Sequence, residues 1–149
     1  MKIELKGEET IQTSRESLWN SVIDPEVLQR VIPGCKNMTE KSEGQYIILL
    51  ELKIAAVSGS FQGDISLSEM DPPTSCLIHV SGNGSLGTGE GSAKIIIRPD
   101  EEKVAKISYE AKGNVGGLVA GVGQRILMGV SKHLVRQFFT ALKKEFTIK

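Results

Sequence analysis

The first third of the chain changes its hydrophobic pattern from a period of two to a helical period. Apolar residues alternate with charged ones from Met1 to Leu5, which predicts a half-buried strand continuing to Ile11. Thr13 and Glu16 have the spacing of a capping box and predict the start of a helix. Asp24-Pro25 predicts a second short helix, which Pro33-Gly34 ends.

The middle of the chain alternates apolar and polar residues between turn signals. Short connections make consecutive strands antiparallel neighbours, so a meander of about six strands is expected. Glu43-Gly44, Asp71-Pro72-Pro73 and Pro99-Asp100 separate the segments. The strands recognised individually cover residues 45–54, a stretch after the connection 55–58 that includes Phe61 to Leu67, residues 75–81, a stretch ending near Arg98, and residues 103–115.

The last segment, Gly116 to Phe146, is predicted to be one long helix whose first half is rich in glycine. Glycine costs roughly 1 kcal/mol in a helix interior, so the pattern indicates a need for room or close approach there. Its early apolar residues lie on a different side from its later ones, among them Phe138 and Phe139. The first half is therefore expected to face an interior space and the second to clamp the sheet, with a bend as the alternative.

This order of elements predicts an α+β fold, in which a curved antiparallel sheet of about seven strands packs around the long helix. A length of 149 residues suits a single domain spanning 1–149. Small residues, including Gly63, Gly89 and Gly91, fall on inward faces opposite the glycine-rich helix. Small residues of the sheet opposite small residues of the helix predict either a cavity or close packing, in which the glycines only permit bending and close contact. The pattern leaves both alternatives open.

Composition narrows the classes of function. Eighteen basic and 18 acidic residues give no net charge, which argues against binding to nucleic acid. No apolar run reaches transmembrane length, and the charged N-terminus does not match a signal peptide, so a cytoplasmic protein is expected. Cys35 and Cys76 lack metal-like spacing and are read as free thiols.

Candidate chemistry is sparse. Gly82 to Gly87 matches GxGxxG, but strands flank it on both sides, so a hairpin turn is the preferred interpretation. His79, His133 and Cys35 form no plausible catalytic set, and neither a metal site nor a cofactor is predicted. Inward-facing tyrosines could bind a polar ligand group or be core residues bonded to backbone. These tyrosines are Tyr46 and Tyr109.

Basic residues fall on one narrow side of the predicted final helix. They could contact anionic lipid or an acidic partner protein, whereas solvated helix charge is the default interpretation. These residues, called here the basic seam, are Arg125, Lys132, Arg136 and Lys143.

Five segments in order resemble the CoxG family of carbon monoxide dehydrogenase subunits, part of the START-like (SRPBCC) superfamily. They are Leu18 to Glu26, Val31 to Cys35, Gly59 to Gly63, Gly84 to Ala93, and the glycine run Gly113 to Gly123. The resemblance implies a helix-grip fold with two short helices after the first strand, a hydrophobic-ligand pocket, and no fixed catalytic residues.

The same resemblance implies association with molybdenum-containing carbon monoxide dehydrogenase and related hydroxylases. Membrane recruitment of the enzyme and carriage of a lipid or quinone are the proposed roles of the family. Many members have a C-terminal tail thought to aid membrane attachment, and this chain stops three residues after Phe146. A soluble carrier with at most transient membrane contact is therefore expected.

The leading hypothesis is a soluble binding protein for a lipid-like or quinone-like molecule, based on the small-residue face and the resemblance. An assembly or recruitment factor for a redox enzyme and a cyclase-like enzyme are the alternatives. Leu28 and Ile32 are assigned to the entrance of the pocket. The assigned pocket lining is Ile48, Phe61, Ile65, Ile95, Tyr109, Val122 and Ile126.

Overall fold

Seven antiparallel strands form one sheet in the computed structural model, which describes residues 1–54 and 57–147. Ala55 and Ala56, in the connection predicted at 55–58, lie outside the described residues. The order in the sheet is β1-β7-β6-β5-β4-β3-β2, so the first strand pairs with the last. The strands are β1 Lys2–Ile11, β2 Cys35–Ser42, β3 Gln45–Ile54, β4 Val57–Asp71, β5 Ser75–Gly84, β6 Gly87–Glu101 and β7 Val104–Gly116.

This sheet confirms the α+β class and the expected seven strands, including one that the hydrophobic pattern did not locate. β2 has the sequence CKNMTEKS, in which Met38 is the one buried side chain. It is an edge strand that pairs with β3 alone. A strand with a single buried residue has almost no alternation to detect, so the pattern passed over it.

Two short helices connect β1 to β2, as expected. They are α1, Arg15–Val22, and α2, Pro25–Val31. The predicted capping box at Thr13 is wrong by one residue, since Ser14 caps α1 and accepts a hydrogen bond of 3.1 Å from the Ser17 N–H. Asp24 caps α2 as predicted, by accepting a hydrogen bond of 2.9 Å from the Glu26 N–H.

The prediction of one helix from Gly116 to Phe146 is wrong. After β7 the chain forms a short 3₁₀ helix, Leu118–Val122, and only then the long helix α3, Gln124–Glu145. Gly117 and Gly123 flank the 3₁₀ helix with φ of 84° and 97°, in a region that L-residues rarely adopt. These glycines supply the backbone conformations that bound the 3₁₀ helix at each end.

Two glycines of the helical region also do not face the interior space that the sequence predicted beside them. A Cβ added at Gly121 or Gly129 would meet nothing within 4 Å, and both residues are exposed. Because α3 begins afresh at Gln124, its apolar residues form a single stripe that starts at Leu127 and continues to Leu142. The predicted early side had joined residues of the 3₁₀ helix to Ile126, which is exposed on α3.

The interior contains two groups of apolar side chains. The larger, called here the closed core, lies where α1, α2 and the second half of α3 cover the sheet, and includes Leu18, Ile107, Phe139 and Leu142. The smaller group is called here the cavity cluster, and it lies at the other end of α3. It is built on the buried residues Ile3, Val57, Val119 and Leu127.

Polar contacts fasten α3 at both ends. Near its C-terminus, Arg30 donates two hydrogen bonds to Glu145, of 2.8 and 3.1 Å, and Lys143 lies 2.8 Å from Glu9. At its start, the Gln124 side chain donates a hydrogen bond of 2.9 Å to the Lys2 carbonyl. Within the described residues, no helix is both long and apolar enough to cross a membrane.

Candidate functional site

A cavity of about 380 Å³ lies between the concave face of the sheet and the first half of α3. Its walls are aliphatic and aromatic side chains from the sheet, the 3₁₀ helix and α3. The apolar lining residues are Ile3, Ile48, Leu50, Leu52, Val57, Phe61, Val80, Val115, Val119, Leu127, Val130 and Leu134. Ser131 of α3 adds one hydroxyl to this lining.

The floor of the cavity is largely bare backbone. Gly63, Gly82 and Gly89 are paired in one row across β4, β5 and β6. A Cβ at Gly63 would lie 2.6 Å from the Ser81 carbonyl oxygen, and one at Gly91 would lie 2.8 Å from the Lys112 carbonyl oxygen. These glycines allow close approach of neighbouring backbones, so the two alternatives of the sequence, bent strands and a cavity, occur together.

Gly89 differs from its neighbours. The nearest atom to a Cβ at Gly89 is the Asn114 carbonyl oxygen at 3.7 Å, an ordinary van der Waals contact. This floor position therefore accepts a side chain without moving the backbone.

The sheet is only one backbone thick at this place. Gln62, Ser81, Thr88 and Glu90 line the cavity and also a polar groove of about 550 Å³ on the opposite face. They alternate with inward-facing residues along their strands, which directs their side chains to the outer groove. The inner surface of the cavity is therefore formed by the apolar residues and the glycines, and it is apolar.

The structure places two of the predicted lining residues, Ile48 and Phe61, in the wall of the cavity. Val122 packs against the cavity cluster. Ile126 is 47% exposed and does not line the cavity, whereas Leu127, with 5% of its surface exposed, does. The predicted lining side of the helix combined residues of the 3₁₀ helix with residues of α3, which are separate elements in the structure.

The structure places the other predicted lining residues in the closed core. They are Tyr46, Ile65, Ile95 and Tyr109. Tyr109 stacks on Phe139 with ring centroids 5.4 Å apart, and burial, followed by the charge of Glu9, raises its pKa. Burial likewise raises the pKa of Tyr46. For both tyrosines the core interpretation matches their location, and neither hydroxyl lines the cavity.

The predicted entrance residues also lie away from the cavity. Leu28 is buried in the closed core and Ile32 packs against it. The open side of the cavity is instead marked by Val80, which is 39% exposed although it lines the concave face. Leu118, beside the lining residue Val119, is 75% exposed. Leu52, Val57, Leu127, Ser131 and Leu134 are lining residues that the sequence assignment missed.

Comparison with known proteins decides the family. A model of CoxG, a subunit of carbon monoxide dehydrogenase, matches residues 7–147. The chain belongs to the CoxG family. No match to a curated protein sequence was found.

Solved structures similar to this CoxG family member support the same fold. A conserved protein from Geobacillus kaustophilus is 31% identical, with a TM-score of 0.93 over 96% of this chain and 94% of that one. A START superfamily protein from Mycobacterium smegmatis is 15% identical, with a TM-score of 0.71 over 95% of each chain. An aromatase/cyclase from Streptomyces sp. R1128 is 12% identical, with a TM-score of 0.69 over 97% of this chain and 93% of that one.

The two distant structures establish the START-like, helix-grip architecture and nothing about activity. Together with the CoxG match they confirm the resemblance and the fold that it implied. Family and fold suggest a ligand-binding or accessory role.

Reactive groups are scarce in this CoxG family member. Burial raises the pKa of Cys35 and of Cys76, which is the reverse of what activates a thiol nucleophile. His79 and His133 are exposed. Within residues 1–54 and 57–147, no three His, Cys, Asp or Glu side chains come together as a metal site.

The basic seam of α3 is divided by the structure. Lys143 is engaged with Glu9, whereas Arg125, Lys132 and Arg136 are exposed and form no ion pair within the described chain. Three cations therefore remain available on the solvent side of the helix, from its first turn at Arg125 to its second half at Arg136.

Proposed function

We propose that this CoxG family member binds a lipid-like or quinone-like molecule in its cavity. We further propose that it works in the cytoplasm as an accessory to a molybdenum hydroxylase of the carbon monoxide dehydrogenase type. The supporting observation is the cavity of about 380 Å³ with its apolar lining. Ligand pockets commonly occupy about 300–1,000 Å³, so this cavity suits a small apolar molecule or one end of a longer one.

Native mass spectrometry, followed by organic extraction of the purified protein, tests ligand binding. Wild-type protein is expected to carry or take up one apolar molecule per chain. Gly89→Leu should abolish uptake, because the new side chain enters the cavity from a floor position that has room for it. Gly129→Ala is the matched control, since Gly129 faces open solvent on α3. Wild-type protein that never retains an apolar ligand would refute the proposal.

A second candidate function is that of an assembly or membrane-recruitment factor, which would contact its partner through α3. Its support is that Arg125, Lys132 and Arg136 are exposed and form no ion pair with any residue that the structure describes. Reversal of all three to glutamate should weaken capture of dehydrogenase subunits, or of vesicles containing anionic lipid. Lys143 is left unchanged because its loss would also break the contact with Glu9. Unchanged binding of both partners and vesicles would exclude a role for the seam.

A cyclase-like enzyme is the further alternative, because a structural neighbour is an aromatase/cyclase. Acid–base catalysis needs a titratable group facing the substrate. Among the described lining residues, Glu90 is the sole titratable one, and it occupies an outward position between Gly89 and Gly91. This arrangement supports a binding protein over an enzyme. Turnover of a substrate for aromatic cyclisation that is lost in Glu90→Gln would reverse that preference.

A further inference from the structure

The apolar stripe of α3 contains one polar interruption. Leu127, Ser131 and Leu134 follow the i, i+4, i+7 spacing of a single helix face, and all three line the cavity. Ser131 is partly buried. A hydroxyl in this position weakens apolar packing unless something bonds to it, so its presence calls for a partner.

That partner is absent from residues 1–54 and 57–147. Serine in a helix often bonds to the carbonyl of the preceding turn, yet the Ser131 hydroxyl makes no hydrogen bond within the described residues. A hydroxyl can both donate and accept one. Ser131 therefore presents an unused hydrogen-bonding group to the interior of an apolar cavity.

The charges around the cavity restrict what this hydroxyl can bind. The described lining residues include no lysine, arginine or histidine, and the one charged residue among them is the acidic Glu90. An alkyl carboxylate entering the cavity would lose its hydration without gaining a cation, which is costly. An uncharged carbonyl or hydroxyl oxygen loses far less and can be satisfied by one hydrogen bond.

We propose that Ser131 Oγ holds the ligand by a single uncharged oxygen, and that the cavity selects neutral ketone-, quinone- or alcohol-bearing molecules over fatty acids. This inference rests on the proposed ligand-binding function and adds the chemical class and the anchoring residue. It replaces Tyr46 and Tyr109, whose hydroxyls do not line the cavity, as the source of polar recognition.

Displacement of the neutral fluorophore N-phenyl-1-naphthylamine from the full chain measures the selectivity. Three ligands of equal length are compared, namely nonane, 2-nonanone and nonanoate, with the pH well above the carboxyl pKa. The preference for 2-nonanone over nonane, taken as the ratio of their two affinities, should be about threefold to tenfold larger in wild-type protein than in Ser131→Ala, the range expected for one net hydrogen bond. Nonanoate should bind most weakly of the three.

Variants of Ser131 assign the effect to its hydroxyl. Ser131→Ala should therefore lower the affinity for 2-nonanone relative to that for nonane, whereas Ser131→Thr should keep the wild-type ratio. Thr140→Ala is the control, since it removes an exposed hydroxyl from the same helix. A ratio of ketone affinity to alkane affinity that is the same in wild-type protein and in Ser131→Ala overturns this inference and leaves the proposed function standing. If neither neutral ligand displaces the fluorophore, both proposals are overturned.

Discussion

The two ends of α3 cover the same sheet in different ways. At the closed core, α1 and α2 join α3 over the strands, and Leu142, Ile97 and Ile107 have almost no exposed surface. At the cavity end, the 3₁₀ helix and the first half of α3 provide the cover, and the strands opposite carry glycine. One end can therefore supply stability while the other keeps space, because bulky residues and covering helices are concentrated away from the site.

Matched leucine truncations should show the largest difference between the two ends. Leu142→Ala should lower the free energy of unfolding by about 3–5 kcal/mol, because it opens a void in a closed core. Leu127→Ala should cost nearer about 2 kcal/mol, because it only enlarges a space that already exists. Urea denaturation of both variants measures this difference. Equal losses would show that the cavity end is packed as tightly as the core.

Glycine-to-alanine pairs sharpen the comparison within the cavity floor. Gly91→Ala should destabilise the protein by roughly 1–3 kcal/mol, since its Cβ would meet backbone atoms that cannot move aside. Gly89→Ala should be neutral or slightly stabilising, because its Cβ has ordinary contact distances and alanine reduces the freedom of the unfolded chain. Thermal unfolding of the two variants separates these outcomes. A destabilised Gly89→Ala would contradict the room assigned to that position.

A conservative change of Tyr109 separates the two regions functionally. Tyr109→Phe should leave ligand affinity unchanged, because the ring stacks on Phe139 in the closed core and does not line the cavity. Fluorophore displacement measures this, with Phe61→Ala, a change in the cavity wall, as the positive control. Loss of binding in Tyr109→Phe would move the ligand site toward the closed core.

The smallest expected effect concerns the ion pair that closes the core end. The hydrogen bonds from Arg30 hold the pKa of Glu145 below its ordinary value of 4.5. A depressed carboxyl pKa stabilises the fold fully above that ordinary value, and the contribution is lost as the pH falls through the folded value. Glu145→Gln should thus lower the melting temperature slightly at neutral pH and match wild-type in strong acid. A deficit that persists in acid would indicate a packing role instead.

Sequence reasoning recovered the layers of this fold because alternation and turn residues are strong local signals. Strands β3 to β7 and both short helices follow from them, as does the pairing of consecutive strands. β2 was passed over because an edge strand with one buried residue has no pattern. The 3₁₀ helix was merged with α3 because the dihedral angles of Gly117 and Gly123, which end it, leave no mark on hydrophobicity.

The site was predicted less completely than the fold, for a related reason. The inward face of a strand is readable from alternation, but its position along the sheet is not. Ile48 and Tyr46 face the same way on β3 and both belong to the closed core, yet of the two only Ile48 also lines the cavity. The difference depends on where α1, α2 and α3 lie above the sheet, and no local pattern specifies that.

The break at Gly123 also makes the orientation of α3 independent of the length of the segment before it, which would not be so in a continuous helix. In an unbroken helix, adding one residue before Leu127 would rotate every later side chain by about 100° relative to the sheet. Here we expect the Gly117 to Gly123 segment to tolerate the gain or loss of a residue while α3 keeps its orientation, because α3 is anchored at its far end by contacts with Arg30 and Glu9. Variation among homologues in the size of the cavity mouth is therefore expected as insertions and deletions in this segment, without compensating changes in the core.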